Sequence, residues 1–156
     1  MPKSKAGAAF LLLAFGIAAA QGQGSAGGGA RAPYRIECGT ATALGTADVC
    51  RADVSTYVGW RVFHALCASC HAADAQGSSF APDLTRRMRG MDSRAFFAAL
   101  DEGYLGPDDP MPPRGANPDV SRYYNELWSY LSARVSGDLP PGPIERLPST
   151  GFAAPD

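Results

Sequence analysis

Apolar residues recur at three- and four-residue spacing in three stretches of this chain, the period of a helix with one buried face. The first stretch runs from about Ser55 to Cys70, where Val58, Val62, Phe63 and Leu66 form the stripe and Asp53 or Ser55 can cap it. The second runs from about Ser93 to Glu102, with Phe96, Phe97 and Leu100 as its face, Asp92 or Ser93 as cap and Gly103 as stop. The third runs from about Pro118 to Ser136. Asn117 caps it, Pro118 occupies the first turn where a missing N–H costs nothing, and Gly137 closes it. Val120, Tyr124, Leu127, Trp128, Leu131 and Val135 make its stripe. Almost nowhere does a period-two alternation last. The pattern predicts an all-α domain of three main helices, joined by long loops that carry Gly77, Pro82, Gly90, Pro110, Pro112 and Pro113.

The ends of the chain read differently. Lys3 and Lys5 precede an uncharged run of 13 residues, Ala8 to Ala20, and Ala18-Ala19-Ala20 offers a small-residue cleavage site. This is the layout of a secretory signal peptide. The run is shorter than the ~20 residues of a membrane-spanning helix. Residues 21–32 (QGQGSAGGGARA) read as a flexible Gly-rich linker. Residues 138–156 contain five prolines and read as an extended tail. A domain over 33–137 remains.

Export would place that domain in the periplasm and remove both lysines of the chain. Residues 21–156 carry 12 Arg and no Lys against 15 acidic residues, a formal charge of −3. That balance excludes a nucleic-acid binder, which needs a dense basic face. The remaining domain is small and rich in Gly and Pro, so its core needs a staple, a metal or a cofactor.

The chemistry lies in Cys67-Ala68-Ser69-Cys70-His71. Cysteines at i and i+3 of one helical turn face the same side, so their thiols can add to the two vinyl groups of one haem. The next residue, His71, then offers its imidazole to the iron. C-x-x-C-H is the attachment sequence of c-type haem, and the export signal agrees with it. A thioredoxin-like C-x-x-C would need a βαβ setting that is missing here. A zinc-bound structural module using Cys38, Cys50, Cys67 and Cys70 is chemically allowed, since four thiolates suit tetrahedral zinc.

Candidates for a second axial ligand are Met88, Met91, Met111 and His64. Met111 lies in Pro110-Met111-Pro112-Pro113, 40 residues after His71, where prolines stiffen the loop. Met88 and Met91 follow His71 by only 17 and 20 residues, and Met91 stands just before the second helix, where a core role is more natural. His64 shares the first helix with Cys67 and reads as a partly exposed residue or a partner of a haem propionate. Met111 is the favoured ligand. A six-coordinate iron between His71 and Met111 has no open position, which implies an electron carrier rather than an enzyme. Without Met111 at the iron, the alternative is a haem enzyme or ligand-binding protein with an open site.

At this point the chain resembles the class I c-type cytochromes, small secreted carriers of one covalent haem, over about Val54 to Val135. Gly59 and Phe63, with Leu127, Tyr130 and Leu131, resemble that family's packed first and last helices. Ala81-Pro82-Asp83-Leu84 resembles the loop whose proline carbonyl accepts a hydrogen bond from the haem-ligating His, which gives Pro82 the task of orienting His71. The runs Tyr57 to His64 and Gly77 to Leu84 look similar to periplasmic cytochromes, relatives of cytochrome c-L, that take electrons from PQQ-dependent alcohol dehydrogenases. The resemblance implies such a dehydrogenase as donor, an oxidase or another cytochrome as acceptor, and a monomer with no membrane span. Arg114-Gly115 stands where many of those proteins carry Trp-Gly.

Cys38 and Cys50 are left over, and in an oxidising compartment they most simply pair. Free, metal-bound or intermolecular thiols are the alternatives. Arg86, Arg87, Arg89 and Arg94 form a basic cluster, read either as a solvated loop or as a docking patch or propionate clamp. Asp101, Glu102, Asp108 and Asp109 oppose it in sign.

Overall fold

The computed structural model of the chain describes residues 32–39, 49–104 and 110–148. The expected leader at 1–20 and nearly all of the linker lie outside the described residues, as do Asp108, Asp109 and 149–156. Strand β1 (Ile36–Cys38) is followed by β2 (Cys50–Ala52) and helix α1 (Val54–Leu66). The Asp53 carboxylate caps α1 by accepting from the Thr56 N–H at 2.9 Å. At Cys67 the backbone leaves the helical region, with φ −120°. Helix α2 (Ala68–His71) restarts at once, and the His71 N–H donates to the Cys67 carbonyl at 3.0 Å. The helix expected to run unbroken to Cys70 is therefore two helices, and neither Pro nor Gly marks the break.

Helices α3 (Leu84–Arg87), α4 (Ser93–Glu102), α5 (Pro118–Ser121) and α6 (Tyr124–Ser136) follow, then strand β3 (Ile144–Arg146). Asp92 caps α4 by accepting from the Ala95 N–H at 2.8 Å. Asn117 caps α5 by accepting from the Asp119 N–H at 2.9 Å. The third predicted helix is divided at Tyr123, whose φ of −119° interrupts it between α5 and α6. Gly137, at φ +85°, closes α6 in the left-handed conformation that glycine adopts without strain.

Helices α1 and α6 pack directly on each other. A Cβ placed on Gly59 would lie 1.9 Å from the Glu126 carbonyl oxygen, so only glycine permits this approach. Phe63 and Tyr130, both fully buried, meet there with ring centroids 5.3 Å apart. Leu127 and Leu131 complete the contact as buried neighbours on α6. This is the arrangement the sequence resemblance implied.

The all-α expectation needs correction. A three-stranded sheet stands in the order β1-β2-β3, with β1 antiparallel and β3 parallel to the central strand. Each strand is three residues long, too short for a period-two pattern to appear. Cys38 and Cys50 lie directly opposite each other in the β1–β2 register and are joined as a disulfide. Part of the segment expected to be a tail is built into the body: Leu139, Ile144 and Leu147 are buried. Buried Arg134 holds this segment in place by donating to the carbonyls of Leu139 at 2.5 Å and Asp74 at 2.9 Å. The Gly142 N–H adds a bond to the Asp74 carboxylate at 2.8 Å.

Candidate functional site

One apolar cavity of about 350 Å³ gathers the residues singled out in the sequence. That volume falls in the ~300–1,000 Å³ range of small-molecule and cofactor sites. Cys67, Cys70, His71, Pro82 and Met111 all line it. His71 is buried at 8% exposure, and its Nδ1 lies 3.0 Å from the Pro82 carbonyl oxygen. A carbonyl only accepts, so Nδ1 carries a proton and donates, and Nε2 is the nitrogen not engaged by this bond.

The loop that brings Pro82 there is held from several sides. The Gly77 N–H donates to the His71 carbonyl at 3.0 Å, and the Leu84 N–H to the Ala75 carbonyl at 2.9 Å. Gly77, at φ +83°, lies so close to this loop that a Cβ would stand 2.5 Å from the Asp83 nitrogen. Met111 is fixed in a similar way. Its N–H donates to the Tyr104 carbonyl at 2.7 Å, and the Tyr104 N–H donates back at 2.9 Å. The N–H groups of Arg114 and Gly115 both donate to the Leu100 carbonyl, at 2.7 and 3.1 Å. The flanking prolines leave these donors intact and restrict the chain between them.

Met88 and Met91 also line the cavity, so the core role expected for Met91 is a role in its wall. His64 is not among the lining residues. Its Nδ1 lies 2.8 Å from the Trp60 carbonyl, and its ring centre lies 4.6 Å from that of Trp60 and 6.5 Å from that of Tyr130. The basic cluster is divided: Arg86 pairs with Asp83 at 3.0 Å, and Arg87 reaches the cavity. Of the acidic cluster, Asp101 accepts from the Tyr124 hydroxyl at 2.5 Å. Pattern alone does not single out Tyr104 and Arg114, which both line the cavity.

Burial pushes the Cys67 thiol up to about 11; the Arg114 charge opposes the shift and Cys70 adds to it. Cys38 and Cys50 are consumed by their disulfide, so a four-cysteine zinc site is ruled out. The donor set fits haem instead. It offers two cysteines flanking one turn, an imidazole with Nε2 available, a thioether, and an apolar lining that contains no Asp or Glu among the described residues.

Comparison with known proteins agrees. Residues 56–131 match a family model described as cytochrome c oxidase, cbb3-type, subunit III. The chain is 34% identical to cytochrome c-553I of Paracoccus denitrificans over 94 residues, which cover 58% of this chain and 42% of that protein. It is 28% identical to cytochrome c-555 of Methylococcus capsulatus over 95 residues, 60% of this chain and 74% of that one. The crystal structure of the c-type cytochrome XoxG from Methylobacterium extorquens AM1 superposes with a TM-score of 0.59 at 32% identity, covering 67% of this chain and 65% of that chain. The chain thus spans less than half the length of one curated relative it matches. Motif, cavity and relatives converge: the matched region is similar to c-type cytochromes, and covalently attached haem c is the cofactor that this similarity implies.

Proposed function

We propose that this protein is a periplasmic one-electron carrier, a monomer in which Cys67 and Cys70 bind the haem through thioethers while His71 and Met111 ligate its iron. One observation carries the reading: His71, with its Nδ1 held by Pro82, shares a single apolar cavity with Met111 and both cysteines. The haem supplies an iron that gains and loses one electron. The Pro82 carbonyl keeps the His71 ring oriented and raises its basicity. The backbone pairing of Met111 with Tyr104 fixes the segment that presents the thioether, which would keep rearrangement on electron transfer small. Histidine–methionine ligation raises the potential over two nitrogens. The donor we infer is a PQQ-dependent alcohol dehydrogenase, and the acceptor an oxidase or another cytochrome. The resemblance of Tyr57 to His64 and Gly77 to Leu84 to cytochromes that serve such enzymes supports this.

The oxidised protein should show a sulfur-to-iron charge-transfer band that disappears in Met111→Ala. A high-spin spectrum that shifts at once on adding cyanide or CO to the unaltered protein would instead favour a haem enzyme with an open site. Reduction by a purified quinoprotein dehydrogenase and its alcohol tests the donor. Failure with every such enzyme would leave the carrier and remove this donor.

A further inference from the structure

Two cations line the haem cavity, Arg87 and Arg114, and no acidic residue does among the described residues. A haem brings two propionates, on the edge of the macrocycle away from the vinyl groups that the cysteines capture. Carboxylates at the mouth of an apolar cavity need a charged hydrogen-bond donor. Arg114 follows Pro112 and Pro113, and its backbone N–H donates to the Leu100 carbonyl at 2.7 Å.

Arg87 has a different setting. It closes α3, one turn after Pro82, and its N–H donates to the Asp83 carbonyl at 2.9 Å. Its guanidinium carbon lies 4.2 Å from the centre of the Tyr104 ring. Tyr104 is in turn the backbone partner of Met111. The contact thus joins the segment that presents Pro82 to the segment that presents Met111. A guanidinium against an aromatic face keeps its N–H groups pointing outward in a fixed fork, the geometry that grips a carboxylate with two bonds. Among the described residues Arg87 forms no ion pair, while its neighbour Arg86 is engaged by Asp83.

We propose that Arg87, braced on Tyr104, is the partner of a haem propionate in this protein and through that bond helps set the potential. The proposal rests on haem c occupying the cavity between His71 and Met111. The positive charge offsets the propionate's negative charge. Removing it leaves an uncompensated anion beside the iron, which favours the ferric state and lowers the potential.

The test uses the full-length haem-loaded protein and its Arg87→Lys, Arg87→Gln, Arg87→Glu and Arg114→Gln variants. Intact mass confirms one covalent haem in each. Unaltered protein without covalent haem would refute the functional reading itself, before any variant is compared. The propionate-bending band in resonance Raman should move in Arg87→Gln and Arg87→Glu and stay in place in Arg114→Gln. The midpoint potential should fall in Arg87→Gln, fall further in Arg87→Glu, and be largely restored in Arg87→Lys. A propionate band unmoved in Arg87→Gln, or moved only in Arg114→Gln, overturns the proposal whatever the potential does.

Discussion

Glycine 59 shows how much one side chain decides. A Cβ there would meet the Glu126 carbonyl oxygen at 1.9 Å, its carbon at 2.4 Å and the Tyr130 Cβ at 3.0 Å. The obstacles are mainly backbone and cannot swing aside, so α1 and α6 would have to separate. Gly59→Ala should cost at least the ~1–3 kcal/mol of ordinary overpacking, although alanine is the better helix former. A denaturant titration at neutral pH checks this, and a variant as stable as the parent would refute the close approach. This residue was legible in the sequence only because Gly59 and Phe63, set against Leu127 and Tyr130, resemble a known helix pair. Pro82 was legible in the same way. Tyr104 was not: its task depends on a backbone bridge to Met111 and on Arg87 lying over its ring, and neither leaves a local pattern.

At the scale of elements, the sequence predicted the long helices and missed the sheet. Amphipathic stripes over α1, α4 and α6 repeat often enough to be read, whereas a three-residue strand such as Ile144–Arg146 offers no repeat at all. Its segment, rich in proline, looks like a tail. Buried Arg134 is what incorporates it. Its guanidinium donates to the Leu139 carbonyl and, through Nε and Nη2 at 3.2 and 2.9 Å, to the Asp74 carbonyl. One side chain therefore ties α6 both to the segment that follows it and to the loop just after the haem-binding motif. Arg134→Ala would leave those carbonyls without donors in a buried place. Bonds to a charged donor contribute ~1.5–3 kcal/mol each, and the orphaned groups add their desolvation cost. We expect a loss of at least about 2 kcal/mol and faster proteolysis within 138–148, read by chemical denaturation and by limited proteolysis with mass spectrometry. Unchanged cleavage there would show that β3 holds without Arg134. The β1–β2 disulfide, by contrast, was foreseeable from compartment and cysteine count, although the strands it joins were not.

At the scale of the whole molecule, the titratable groups decide how stability responds to alkaline pH. Both lysines lie at positions 3 and 5, so the body of the protein has no amine to titrate as pH rises through the alkaline range. Tyrosines take that place. Burial and the bond to Asp101 push Tyr124 up to about 12 from its ordinary 10.0. Burial also raises Tyr130, more strongly, and raises Tyr34, which donates to Asp138. The sign follows from linkage. Between the unfolded value near 10 and the folded value near 12, the unfolded chain has released the Tyr124 proton and the native protein still holds it. The native state binds more protons in that window, so stability falls as pH rises through it, and the contribution is intact below pH 10. Denaturation midpoints should therefore be level up to about pH 9 and decline from about pH 10 upward. Tyrosinate absorbance should rise at higher pH in the folded protein than in the denaturant-unfolded one. Tyr124→Phe should be less stable at neutral pH, through loss of its bond to Asp101 at 2.5 Å, yet decline less steeply above pH 10. The two curves then converge with rising pH. Parallel curves would place the alkaline loss on Tyr130 and Tyr34 instead, and would show that the Asp101–Tyr124 bond does not couple proton release to the packing of α4 on α6.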